Sequence, residues 1–210
     1  MSRLLLSRRF LLISLAGLAI SQARAQSMDI SRATAFVNKA GQDLVNAIND
    51  PRLNLTQRRD KVASILRTAI DIEGTGRFIL GRYVRQASPA ELQDYLKLFD
   101  EIIIRNLSAR FGEYRGVKFS LGRSQQRTEE DALVSTLIER PNSPSFTLDW
   151  RVAEINGQPR VVDVIAEGTS LRLTTRSEYA AVIQRNNGRV ASLLDAMRGQ
   201  IAQLAAREGG

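Results

Sequence analysis

The most regular pattern in the chain is an alternation. In Phe146-Thr147-Leu148-Asp149-Trp150-Arg151-Val152, every second residue is apolar, so one strand face is oily and the other wet. An Asn156-Gly157 pair and a second β run, Arg160 to Ala166, follow, and together they predict a hairpin closed by a primed turn. Upstream, Val117 to Leu121 and Ala132 to Arg140 read as two further strands, and Pro141-Asn142-Ser143-Pro144 reads as the turn into the third. Serial hairpins favour an antiparallel sheet. A short extended piece near Leu171 and Leu173 would lengthen it.

Helical spacing frames these strands. From Ile30 the apolar residues Ala33, Val37, Ala40, Leu44 and Ile48 step by three or four. Asp50-Pro51 ends that helix, Thr56 is a cap for a second, and Val62, Ile65, Leu66, Ala69 and Ile70 give the second its stripe. Ser88-Pro89-Ala90-Glu91 is a capping box that opens the longest helix, about Pro89 to Phe111, with Leu92, Leu96, Phe99, Ile103 and Leu107 on its inner face. Helical spacing returns at Arg176, is interrupted at Asn187-Gly188 and resumes from Val190 to Leu204. The predicted class is α+β: an antiparallel sheet of about four strands packed against N-terminal and C-terminal helices, with an apolar cavity between sheet and helices.

The amino terminus sets the address. Arg3, Arg8 and Arg9, an apolar run from Phe10 to Ile20 and Ala23-Arg24-Ala25 describe a signal peptide, residues 1–25, cleaved before Gln26. The apolar run is too short to span a bilayer. With no internal repeat or linker, residues 26–210 read as a single domain. Four arginines leave with the signal, so the formal charge of +8 falls to +4. That is a solvated surface rather than a phosphate-tracking stripe, and no nucleic-acid partner is expected. No cysteine is present, which excludes both a disulfide framework and a lipid-acceptor residue at the cleavage site.

Candidate chemistry is sparse. The absence of His removes histidine-based triads, and without His and Cys only carboxylates remain as metal ligands, so no metal, cofactor or catalytic residue is assigned. Carboxylates adjoin at Glu129-Glu130-Asp131 and at Asp100-Glu101. Solvated faces explain them more simply than an acid/base pair does, and a hydrolase stands only as a competing reading. Asp163 interrupts an apolar strand. It is either a partly buried carboxylate paired with an arginine such as Arg82 or Arg176, or a residue facing water.

Several segments together resemble one family. Phe78-Ile79-Leu80-Gly81-Arg82-Tyr83 with Ala87 and the capped helix carrying Leu98-Phe99 is similar to the F-x-L-G-R-Y-W-R-x-A segment of MlaC-type, or toluene-tolerance, proteins. Val162-Asp163-Val164 with Glu167-Gly168-Thr169-Ser170-Leu171 resembles the family's D-V-x-x-E-G-V-S signature, and Arg176 to Tyr179 with Asn187-Gly188 and Leu193-Leu194 resembles its closing helices. Val84, Pro159 and Tyr179 depart from that pattern. The resemblance implies a soluble, monomeric periplasmic carrier of glycerophospholipid. It would shuttle lipid between an outer-membrane lipoprotein–porin complex and the inner-membrane MCE-domain ring of an ABC transporter, and so maintain outer-membrane lipid asymmetry. The expected lipid-facing residues are Phe78, Tyr83, Leu96, Phe99, Ile103, Phe119, Leu121, Phe146, Leu148, Trp150 and Val164, and Arg82 and Arg85 are expected to meet a head group or partner. Each of the apolar residues, taken alone, is as well explained by an ordinary core. The competing readings are an exported protein-interaction module and a carrier of a hopanoid-like lipid.

Overall fold

Asp29 accepts hydrogen bonds from the amides of Ser31 (2.6 Å) and Arg32 (3.4 Å), which caps helix α1, Ile30–Asn49. The computed structural model describes residues 28–108 and 114–208, so the predicted signal peptide and the predicted helix end at Phe111 lie outside the described residues. Helix α2 is Leu55–Ala69. Its cap is Asn54 rather than Thr56: the Asn54 side chain accepts from the Gln57 amide at 2.9 Å and the Gln57 side chain accepts from the Asn54 amide at 3.1 Å. That reciprocal box satisfies two orphan amides and outcompetes a threonine that has none of this geometry. Helix α3, Ile72–Leu80, leads through a 3-10 turn at Gly81–Arg85 into α4, Pro89–Ser108. The predicted capping box opens α4, with Ser88 Oγ 3.2 Å from the Glu91 amide and Glu91 Oε2 2.9 Å from the Ser88 amide.

The strands are β1 Lys118–Gln126, β2 Asp131–Arg140, β3 Ser143–Ile155, β4 Gln158–Ala166 and β5 Thr169–Ser170. They pair consecutively, all antiparallel, into one five-stranded sheet in chain order. Asn156 and Gly157 both take positive φ, 52° and 75°, as the predicted primed turn requires. Leu171 and Leu173 are not strand residues. They belong to the first turn of helix α5, Leu171–Arg185, which therefore starts before Arg176. Ser170 Oγ accepts from the Leu173 amide at 3.2 Å, and this cap overrides the two-residue alternation that suggested a strand. Helix α6, Val190–Glu208, follows a turn in which Asn187 and Gly188 have φ of 57° and 75°.

Two bodies of apolar packing meet at α4. Helices α1 and α2 cover the sheet, where Ala33 and Val37 pack with Ala132, Val134 and Val152, while Ala47, Val62 and Leu66 pack with Ile104, Val117 and Ile138. Helices α3 to α6 build the other body around Tyr95, Phe99, Ile183, Leu193 and Met197. Tyr95 is fully buried and donates to the Gly76 carbonyl at 2.9 Å, and its burial raises its pKa far above the ordinary phenol range. Ile103 touches both bodies. The helical body reaches the sheet along β4 and the short β5, through α3 and α5, and the seam at β4 is not fully filled.

Candidate functional site

The seam holds a cavity of about 410 Å³ that is open to the outside. Val161 to Val164 of β4 form one wall; Thr75 and Ile79 of α3 form another; Phe99, Ile102, Ile103 and Asn106 of α4 lie opposite, and α5 closes it with Leu171, Arg172, Thr175, Glu178 and Tyr179. Ile70 and Gln200 complete the lining. The β4 wall of the cavity is bulged. Register slips between Arg151 and Val152 of β3, so Arg151 faces Asp163 while Val152 faces Val161. Such a bulge bends a strand and re-aims its side chains. Val161 and Asp163 both turn inward, 3% and 6% exposed.

Asp163 is thus a buried carboxylate, and its partner is Arg172 rather than Arg82 or Arg176. Arg172 Nε lies 3.4 Å from Asp163 Oδ2, Ser170 Oγ donates to Oδ2 at 2.6 Å, and the Arg172 amide donates to Oδ1 at 3.2 Å. Burial pushes the Asp163 carboxyl above the ordinary range, against the lowering pull of the Ser170 hydroxyl. The Arg172 guanidinium also lies over the Phe78 ring at 4.2 Å, with Arg176 beside it at 4.9 Å. The pair therefore ties α5 to β4 while the arginines tie it to α3. At the inner end Tyr179, also buried, has its hydroxyl pKa pushed up to about 12 by desolvation. Among the lining residues the charged groups are one guanidinium, Arg172, and the carboxylates of Asp163 and Glu178; the remainder is apolar or neutral.

Of the residues singled out in the sequence, Phe99, Ile103 and Val164 line this cavity. Trp150 lines a second, much smaller void under α1 and α2. Phe78 is packed beneath the two arginines, and Tyr83 and Leu96 belong to the helical core. Phe119, Phe146 and Leu148 pack with the core between α1, α2 and the sheet, and Leu121 is 39% exposed. Arg82 and Arg85 are exposed, Arg82 donating to its neighbour Tyr83 Oη at 2.9 Å. The lining residues that the sequence did not single out are both polar, such as Thr75, Asn106, Arg172 and Glu178, and apolar, such as Ile79, Ile102 and Val161. A signal for Arg172 was present, since Ser170 is a cap residue that places Arg172 in a first helical turn beside Asp163.

Three of the adjoining carboxylates, Asp131, Asp100 and Glu101, have structural partners. Asp131 is 2% exposed and accepts from Arg151 Nε at 2.6 Å, Asp100 is paired with Arg67 at 2.7 Å, and Glu101 with Arg105 at 2.8 Å. Among the described residues no group of three or more metal-ligating side chains comes together, and no helix is long and apolar enough to cross a membrane.

Residues 38–199 match the model of the family described as MlaC protein. The toluene tolerance protein ttg2D of Pseudomonas putida is 22% identical over 145 residues, covering 69% of this chain and 67% of its own length. A solved structure of a phospholipid-binding protein from Ralstonia solanacearum, in complex with a phospholipid, superposes with a TM-score of 0.73 at 26% identity, covering 82% of this chain and 98% of that one.

Proposed function

The chain belongs to the MlaC protein family, and from that premise we propose that it is a periplasmic phospholipid carrier whose acyl cargo occupies the cavity between β4 and helices α3 to α5. The observation that carries this reading is the cavity itself: about 410 Å³, open at one side and walled mainly by apolar side chains, within the size range of small-molecule sites. Side chains that served only stability would close such a space, because interiors pack to crystal density. Phe99, Ile103 and Val164, with Ile79 and Ile102, meet hydrocarbon. Arg172 and its neighbours Thr175 and Glu178 sit where a head group meets water, and the guanidinium is the group suited to a phosphodiester.

Energetics dictate how such a carrier works. Two acyl chains of about thirty methylenes, at ~0.8 kcal/mol each, gain on the order of 20 kcal/mol on leaving water, near the ceiling for non-covalent binding. Escape into water is therefore too slow to be useful. A bilayer solvates the same chains almost equally well, so exchange is close to neutral when the carrier is docked. In this reading residues 1–25 are the export signal and residues 26–210 the lipid-binding domain. Exposed Arg82 and Arg85 contact partners, namely an outer-membrane lipoprotein–porin complex on one side and the MCE-domain ring of an inner-membrane ABC transporter on the other, and the transfer maintains outer-membrane lipid asymmetry. No residue is given a catalytic step.

The test is organic extraction of the protein purified natively from the periplasm, followed by lipid mass spectrometry. Near-stoichiometric glycerophospholipid is the expected result; a polycyclic lipid alone would assign the cargo to the hopanoid class, and protein free of any lipid would overturn the carrier reading.

A further inference from the structure

Behind the large cavity lies a void of about 20 Å³, walled by Ala40, Gly41 and Leu44 of α1, Leu66 and Ala69 of α2, and Trp150 of β3. Its lining is apolar, and the Trp150 indole N–H is already committed to Thr136 Oγ1 at 2.8 Å. A void of this kind has room for about one water but no polar partners to hold it, so it stays dry. It also forfeits dispersion contacts that a fuller packing would make. Small residues, Ala40, Gly41 and Ala69, leave the space.

Two residues, Ile70 and Val161, line both the void and the large cavity. Their backbones are fixed to one another: Ile70 and Val161 form an isolated parallel bridge, the Ile70 amide donates to the Leu66 carbonyl at 2.8 Å, and the Asp71 amide donates to the Val161 carbonyl at 3.0 Å. Ile70 and Val161 are thus the residues that the two spaces share. Val161 is 3% exposed, held on the inner face of β4, whereas Ile70 is only half-buried at the end of α2, with open space beside it. A change of rotamer at Ile70 is a small motion between staggered wells. Removing that partition would join the two spaces into one bent channel reaching from the mouth to Trp150.

We infer that Ile70 is a movable partition and that the dry void behind it receives the methyl end of longer acyl chains, so that Ile70 and the residues around the void set the chain length the carrier accepts. This rests on the carrier reading. Selection follows from the exchange with a bilayer. A methylene seated in the channel is as well off as in the membrane and exerts no preference. One that finds no seat is left in water or compressed, and each such methylene lowers loading by about fourfold. Natural chains differ by two carbons, so each step beyond the channel's length is discriminated by about fifteenfold.

The experiment loads the full-length mature protein from vesicles containing equal amounts of dimyristoleoyl, dipalmitoleoyl and dioleoyl phosphatidylglycerol, and reads the species bound by mass spectrometry. Ala69→Met, which puts bulk into the void, should shift the bound profile toward the shortest species by about fourfold, the share of the one methylene the void seats. Ile70→Ala, which removes the partition and adds no bulk, should enrich the longest. Should Ala69→Met not fold, Ile70→Ala still decides the matter. Bound lipid with the same chain profile in the wild type and Ile70→Ala overturns this inference and leaves the carrier reading standing. No lipid on the wild type overturns the carrier reading.

Discussion

Arg172 Nε stands 3.4 Å from Asp163 Oδ2 on the wall of the cavity, and it is this ion pair that joins the first turn of α5 to the bulged strand β4. The Asp163 side chain is 4% exposed and that of Arg172 16%. Buried pairs contribute little net stability when intact, since desolvation offsets attraction, but breaking one strands the remaining charge.

The first prediction concerns that asymmetry. Arg172→Ala leaves a buried carboxylate with the Ser170 hydroxyl and backbone amides but without its adjoining guanidinium, and should destabilise by about 3 kcal/mol in urea unfolding. Asp163→Asn keeps one acceptor oxygen, turns the other contact into a donor and frees a guanidinium that is nearer to water, so it should cost about half as much. An Arg172→Met, Asp163→Leu double variant should recover most of the loss. If Arg172→Ala unfolds at the wild-type urea midpoint, the pair is not holding α5 to β4.

A second prediction follows from Val164, which is half-buried and lines the cavity. Val164→Phe adds a ring where an acyl chain is proposed to lie and displaces about two methylenes. Lipid loading from vesicles should fall by about fifteenfold, with thermal stability changed little because the added bulk enters open space. Undiminished loading would remove β4 from the lipid contact.

The single tryptophan supplies a third. Trp150 Nε1 donates to Thr136 Oγ1 at 2.8 Å, and the same hydroxyl donates to the Leu148 carbonyl at 3.1 Å, with Thr136 only 1% exposed. Thr136→Val keeps the shape and leaves both groups without this partner, at a cost of about 1–3 kcal/mol. The same substitution should shift the tryptophan emission to the blue, because the indole loses its hydrogen bond. An unchanged spectrum would mean that the ring has another acceptor.

Acid sensitivity gives a fourth. Asp50, at the end of α1, accepts from the Arg52 guanidinium and amide, and this lowers its pKa from 3.8 to about 2. A carboxylate whose folded pKa is depressed stabilises the fold above its unfolded value, and that stability is lost as pH falls through the folded one. Between pH 3.8 and about 2, therefore, the wild type should lose Tm more steeply than Asp50→Asn. The two should run parallel above that window; parallel curves within it would show that Asp50 carries no linked stability.

The sequence by itself determined the α+β class, the hairpins and the capping box of α4, because these rest on local rules. Asn156 and Gly157 tolerate positive φ wherever they occur, and Ser88 with Glu91 closes its own amides without help from the rest of the chain. The alternation in β3 foretold its inward face, whereas in α4 only Phe99 of the predicted stripe is buried: Leu92, Leu96, Ile103 and Leu107 are half-buried, and Tyr95, Ile102 and Ile104 are buried instead. Where the inward faces fail to meet was decided only by tertiary structure. Phe99, Ile103 and Val164 line the open space while Phe146 and Leu148 fill core, although all five carry the same apolar signal. The difference is which elements each residue faces: the first three lie where α3, α4 and α5 meet the bulged β4, the other two under α1 and α2, and periodicity does not encode that. The same holds for Asp163: the pattern marks it as anomalous, but its partner Arg172 is selected by a helix start at Leu171 that two alternating leucines concealed. Burial is a property of one residue's face, whereas a cavity belongs to the gap between several elements, and such gaps are set by packing geometry rather than by sequence spacing.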